Sequence, residues 1–316
     1  MQNFTQRGIS IWQVFKSEKI IKYCGLLPTF KSRQQGSRES ESAQTPPAQL
    51  SSREIYEKAQ RHVHSGDISG LSQWLSTEDQ AAKTILAESH LSNIQLSPKH
   101  TLGRLAVGAN KAAALQAIED YSIAARHDSD GWSFAHEAAL QHEEAAVLAI
   151  SKDEILKIKD EEGISVAQIA VDHHNAAAKL LFAPGERRQF LGIKNNDDIS
   201  VGQVAIIRWR DIAKRVLKDE KLYSIVIISH KRPLGWTYGH EAVLNHMSCA
   251  RWVRDGNMAG MKDINDGSGR SIYDIACGVM RKYEAEKIEQ NKKEAEMLSL
   301  WERLSRSALH LFRRNR

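Results

Sequence analysis

The chain has 316 residues, a formal net charge of +5, a pI near 9.0, 41% hydrophobic residues and 26% charged ones. These proportions fit a soluble chain with a sizeable core and exclude one disordered throughout. No apolar run approaches the roughly 18 residues of a membrane helix. Three scattered cysteines, Cys24, Cys249 and Cys277, are too few for a disulfide framework and fit a reducing compartment.

The charge is unevenly placed. Residues 1–50 carry +4 and residues 303–316 carry +5, so the stretch between them sums to −4. A basic pI therefore describes two ends, and it weakens a nucleic-acid reading of the body.

In chain order, residues 1–51 are expected to be a flexible basic segment with one short helix. Its apolar pieces are broken by Gln13, Lys16, Lys19 and Lys22, unlike a secretory signal. A Ser/Gln-rich linker with Pro46-Pro47 follows. Ile55–Ala59, Gly66-Asp67 and Leu71–Leu75 read as a divergent first repeat unit with a longer first helix.

Six segments then share the form [ST]-x-x-x-x-Ala. They run Thr101–Ala106, Ser133–Ala138, Ser165–Ala170, Ser200–Ala205, Thr237–Ala242 and Ser271–Ala276, at intervals of 32, 32, 35, 37 and 34 residues. Such a period is the mark of a repeat architecture. The Ser or Thr is a helix N-cap, and Ser165/Gln168 and Ser200/Gln203 read as capping boxes. The third position is small (Gly103, Ala135, Ala167, Gly202, Gly239), and a second Ala recurs at Ala114, Ala146, Ala178, Ala213 and Ala250. Both allow close helix approach. The sixth copy has Glu284 at the second-Ala position.

Asn110, His142, His174, Trp209 and His246 follow four residues after the first Ala. They are expected to end the first helix in left-handed backbone, which Asn and His tolerate. A turn precedes each of five caps: Asp128–Gly131, Asp160–Gly163, Asn195–Asp198, Pro233–Gly235 and Asp266–Gly269. The unit is turn, short helix, bend, longer helix. Residues 281–312 read as a long helix whose second half carries one apolar face through Met297, Leu300, Trp301, Leu304, Ala308 and Leu311.

Motifs for catalysis are weak. His136-Glu137 and His142, echoed by His240-Glu241 and His246, place two histidines six apart. A zinc-protease helix needs them four apart on one face. No phosphate-cradling glycine loop and no C-x-x-C occur in the sequence, so no catalytic residue, metal or cofactor is expected.

The stretch Asp128–Ala139, DSDGWSFAHEAA, and its partial echo Leu234–Ala242 resemble the ankyrin repeat, whose pattern is D-x-x-G-x-T-P-L-H-x-A-A. The likeness covers roughly residues 97–284. The family's Pro is absent from every copy, and Asn, His or Trp stands where its helix-ending Gly belongs. The resemblance implies an all-α ankyrin-repeat solenoid of about six helix-turn-helix units over 52–284, with short hairpin fingers, followed by a basic amphipathic helix over 285–316.

It also implies a non-enzymatic module that binds a protein partner on its concave face. Ser133, His136, Ala138, Thr237, His240 and Ala242 would be structural, the histidines bonding neighbouring loop backbone. Trp132, Trp236, Ile164 and Arg270 occupy the finger position that meets partners, with Glu137 and Glu241 beside it. For the two Trp, packing against the next unit stands as an equal alternative. The terminal helix could cap the solenoid, or meet an acidic partner or anionic membrane through Arg303, Arg306, Arg313, Arg314 and Arg316, and the two basic ends could together make the chain a nucleic-acid or membrane adaptor. The helix could also act as a type IV translocation signal. The expected setting is cytoplasmic, the alternative being a bacterial effector delivered into a host cell.

Overall fold

Each predicted cap begins a helix. The hydroxyls of Thr101, Ser133, Ser165, Ser200 and Ser271 accept from the backbone N–H three residues on at 3.1–3.3 Å. The computed structural model describes residues 50–97, 100–129, 131–256 and 259–314. Segment 1–49, with its expected short helix, lies outside the described residues. So do Arg316 and the side chains of Arg303, Arg306, Arg313 and Arg314.

The described chain is all-α apart from one small hairpin. It opens with α1 (Ser52–Ser65), α2 (Ile68–Thr77), α3 (Asp79–Ala87) and a single turn, α4 (Ser89–Ser92). Strands β1 (Gln95–Ser97) and β2 (His100–Thr101) pair antiparallel, with Gln95 opposite Thr101. Then come α5 (Leu102–Ala109), α6 (Lys111–Glu119), the turn α7 (Tyr121–Ala124), α8 (Phe134–Gln141) and α9 (Glu143–Ser151). Next are α10 (Val166–His173), α11 (Asn175–Leu181), α12 (Val201–Arg208), α13 (Arg210–Lys218), α14 (Glu220–Tyr223), α15 (Tyr238–Asn245), α16 (Met247–Asp255) and α17 (Ile272–Arg314).

Consecutive helices form pairs: α2/α3, α5/α6, α8/α9, α10/α11, α12/α13 and α15/α16. The first helix of each pair packs on the first helix of the pair before it, and α17 closes the series against α15 and α16. The recurring alanines lie at these interfaces. All six first-position and all five second-position alanines are fully buried. The small third position is a socket for the next unit. A Cβ on Gly103 would come within 2.5 Å of Phe134 Cζ, and one on Gly239 within 2.5 Å of Ile272 Cδ1. The residue after each cap therefore sits over the small residue of the preceding unit.

The turns form fingers. The β1/β2 hairpin before Thr101 is the first; in the second to sixth an isolated antiparallel bridge joins His127 to Ser133, Lys159 to Ser165, Lys194 to Ser200, Val226 to Thr237 and Asn265 to Ser271. Two residues before the cap the backbone turns left-handed, with Gly131, Gly163, Gly235 and Gly269 at φ 71–78°. Asp198 takes that seat in the fourth finger at φ 62°, tolerated because a short polar side chain bears αL better than most. Fingers also bond sideways: Lys159 Nζ donates to Lys194 O at 2.7 Å and Asn196 N–H to Glu162 O at 3.1 Å. The long 183–199 connection holds a 3₁₀ segment, Glu186–Gly192, that buries Phe190 and Leu191.

Two expectations need correcting. Asn110, His142, His174, Trp209 and His246 are extended, with φ from −119 to −129°, and not left-handed. These residues are there for their donors. His142 Nε2 reaches back to Val107 O at 3.0 Å, His174 Nε2 to Leu140 O at 3.2 Å, His246 Nε2 to Ile206 O at 2.6 Å and Asn110 Nδ2 to Leu75 O at 2.9 Å. Trp209 Nε1 donates likewise to Val171 O. Each bond satisfies a carbonyl near the end of the preceding unit's first helix, where intrahelical partners run out.

The second correction concerns the terminal helix. It starts at Ile272, inside the sixth copy, and runs unbroken through 284. Ile272, Ala276 and Met280 are the buried covering face, whereas Ile288, Met297, Leu298 and Trp301 are exposed. The covering of the last pair thus comes from the first turns of α17, and Met297 and Trp301 of the expected apolar set are exposed.

The left-handed seats yield a paired test. Gly163→Ala would force both a positive φ and a contact 2.9 Å from Asn196 N, while Gly269→Ala meets nothing within 4 Å. Chemical denaturation should give a loss of about 1 kcal/mol for Gly269→Ala and at least twice that for Gly163→Ala.

Candidate functional site

His136 and His240 each serve two units at once. His136 Nδ1 accepts from the Ser133 N–H at 3.2 Å, and Nε2–H donates across to Ile164 O at 3.0 Å. His240 repeats this with the Thr237 N–H at 3.1 Å and Arg270 O at 3.2 Å. Both rings are thereby fixed as the neutral Nε2–H tautomer. Gln168 does the same work with an amide, accepting from Ser165 N–H at 2.9 Å and donating to Ile199 O at 2.8 Å. With both nitrogens engaged, neither His136 nor His240 has a lone pair to offer a metal. Among the described residues no group of three His, Cys, Asp or Glu is placed to hold one.

Trp132 and Trp236, weighed between partner contact and packing, are interior: they are 9% and 4% exposed. Each indole Nε1–H donates to the carboxylate five residues on, Trp132 to Glu137 at 3.0 Å and Trp236 to Glu241 at 2.9 Å. Each stacks near its histidine, with centroids 5.1 and 4.9 Å apart. Glu137 and Glu241 are likewise buried and cannot face a partner in this conformation.

Each glutamate holds an arginine. Arg104 Nε donates to Glu137 Oε2 at 2.9 Å, its Nη1 pairs with Asp128, and its guanidinium lies 5.3 Å from the Trp132 ring. Arg232 forks onto Glu241 at 3.1 and 2.6 Å and lies 5.5 Å from the Trp236 ring. Two Arg–Glu–Trp sets recur on different scaffolding, since Arg104 comes from the preceding unit's first helix and Arg232 from its own unit's finger. Sequence reading missed both arginines. The local part was visible as Trp followed five residues later by Glu, but the cationic partner lies 33 residues away in one set and 9 in the other.

Ile164 is half-buried, its carbonyl occupied by His136 and its N–H by Asp160 Oδ1 at 2.7 Å. Arg270 keeps a half-exposed side chain but folds onto Asp266, Nη2 to Oδ2 at 2.9 Å. Burial would raise the Asp266 carboxyl. Donors from the Arg270 backbone, Ser268 and the Arg270 guanidinium outweigh it and draw it down to about 2. Of the six residues expected on the partner face, five are interior or half-buried and locked, and the sixth, Arg270, is anchored to its own finger.

Within the repeats, a group of exposed apolar side chains lies elsewhere, on the fifth finger. Val226, Ile228 and Leu234 are 53%, 76% and 86% exposed. The long interval before Thr237 was the available sequence signal, since the finger must fit into it. No helix among the described residues is long and apolar enough to cross a membrane. No family model matches the chain, and no curated protein matches it.

Burial pushes the His136 ring down to about 4, and His240, His142 and His246 shift the same way for the same reason. A depressed folded value means stability that is complete above the unfolded value of about 6.5 and lost as pH falls toward 4. His136→Gln supplies the donor and acceptor that Gln168 supplies one unit on. It should stay within about 1 kcal/mol of wild type at pH 7 and flatten the loss between pH 6.5 and 4, whereas His136→Ala should cost about 2–4 kcal/mol. Urea melts across pH read both.

Glu137→Ala strands the Arg104 guanidinium, whose side chain is 4% exposed. It should cost about 3–5 kcal/mol, measured in the same melts. A cost below 1 kcal/mol would show that Asp128 alone carries the arginine.

Proposed function

We propose that this chain is an ankyrin-type solenoid acting as a non-enzymatic protein-binding module, with a protein partner docking on the finger side. The recurrence of cap, finger bridge, small socket and inter-unit bonds supports the class. The observation that carries the binding reading is the fifth finger, which holds Val226, Ile228 and Leu234 out in solvent although Ile227 and Trp236 beside them are buried. Large exposed apolar side chains grouped on one loop cost solvation and are characteristic of contact surfaces. Aspartate residues of the fourth finger brace the tip, with Lys231 Nζ 2.8 Å from Asp197 and His230 paired to Asp198.

In this reading partner contact falls on the finger tip instead of on Trp132 and Trp236. The setting is proposed as cytoplasmic, with delivery into a host cell as the alternative. Binding of an acidic partner or anionic membrane by the arginine-bearing end of α17 is the competing surface, favoured by exposed Met297, Leu298 and Trp301.

The test uses the full chain as bait with quantitative mass spectrometry. Ile228→Asp combined with Leu234→Asp should lower recovery of specific partners at least tenfold while thermal melting stays within a few degrees. Removing 297–316 should leave recovery unchanged. Loss with the truncation and not with the finger variant would transfer the binding surface to the tail.

A further inference from the structure

The second helices of the last two complete pairs border a groove of about 560 Å³, lined by Lys214, Lys218, Ser248, Arg251, Trp252, Asp255 and Gly256. Helical spacing explains the convergence. Lys214 and Lys218 are one turn apart on α13, and Ser248, Arg251, Trp252 and Asp255 follow the i, i+3, i+4, i+7 stripe of α16. Both helices bury their opposite faces through Ile212, Ala213, Val216, Leu217, Cys249, Ala250 and Val253.

The cations nearby are mostly neutralised. Lys179 pairs with Asp211 at 3.3 Å, Arg188 with Asp219 at 2.7 Å, and Arg254 with Asp255 at 2.8 Å and Glu284 at 2.7 Å. Lys214, Lys218 and Arg251 have no carboxylate partner among the described residues. The acid in the groove, Asp255, is already engaged by Arg254. Trp252 supplies a partly exposed aromatic surface, and the Ser248 hydroxyl is buried at the wall beside the Cys249 thiol. Cys249 lies behind the stripe, its thiol pushed up to about 11 by burial, so it brings no negative charge.

We propose that this groove is a phosphoryl-binding site, in which Lys214, Lys218 and Arg251 hold a phosphate dianion and Ser248 donates to one of its oxygens. Two ammonium groups give charge without fixed direction, and a guanidinium gives a planar fork, the combination suited to a tetrahedral polyanion. The phosphate can come from a free phosphorylated small molecule or from a phosphorylated lipid headgroup. This site is independent of the finger surface, since it is built from the second helices and its occupant is an anion.

Inorganic pyrophosphate titrated into the full chain at low salt, followed by calorimetry and by the Trp252 indole N–H resonance, is the direct test. Saturable binding is expected, weakening steeply as salt rises. Lys214→Gln, Lys218→Gln and Arg251→Gln together should weaken it at least tenfold. Lys83→Gln, Lys157→Gln and Lys262→Gln, the same charge change outside the groove, should leave it within twofold. Thermal melting confirms that both triple variants fold, as expected for exposed side chains.

Phosphatidylcholine vesicles with and without a phosphoinositide form the second arm. Groove-dependent binding to the phosphoinositide vesicles assigns the lipid source, and groove-dependent pyrophosphate binding without vesicle binding assigns the soluble one. Absence of saturable binding in both arms, or an equal loss in the control triple, would overturn the site.

Discussion

A helix of eight or nine residues is marginal in water, because nucleation costs more than so few hydrogen bonds return. Most helices of this chain have that length, so each depends on what is stacked on either side of it. The dependence is met by donors at two fixed places in the unit. The bend residue reaches back to the preceding first helix, and His136, Gln168 and His240, each three residues after a cap, reach forward to the next finger. Together they tie each unit to both neighbours through backbone carbonyls, which are present whatever the side chains. Degenerate sequences can therefore keep one register.

Burial of the histidines follows from the same constraint. A ring that must accept from its own cap and donate to the next unit has to sit between them, out of water, and its neutral form is then the one the fold requires. Trp132 and Trp236 lie over these rings and are drawn inward with them. An indole placed there has to satisfy its N–H, which accounts for Glu137 and Glu241, and each buried carboxylate in turn calls for an arginine. The chain from cap to imidazole to indole to carboxylate to guanidinium is a sequence of satisfied polar groups, each made necessary by the one before.

The caps, the finger turns and the close-packed alanines were legible because each depends on residues within a few positions of one another. Ser165 with Gln168 is a local pair, and Gly163 before Ser165 is a local turn. The bonds of His142, His174 and Trp209 were not, because their acceptors lie 34 to 38 residues back and become visible once the units are in register. The same distance hid Arg104. Charge misled in a different way: a body summing to −4 conceals three unneutralised cations on one groove, since summation ignores that Asp211, Asp219 and Asp255 are already spent on other partners. The tail misled through periodicity. Met297 and Trp301 have the spacing of a buried stripe and are exposed, because spacing states which residues share a face and not whether anything lies against it.

The unbroken helix α17 has a mechanical consequence. Among its described side chains the buried contacts end near Met280, and its helical structure continues to Arg314. At about 1.5 Å per residue the intervening stretch measures on the order of 50 Å. A hinge between repeats and tail would let the terminal arginines search a volume. A continuous helix makes them the end of a rod, whose reach and bearing are set by how the first three turns seat on the last pair. Small changes at Ile272, Ala276 or Met280 would therefore be magnified at the far end into displacements several times larger.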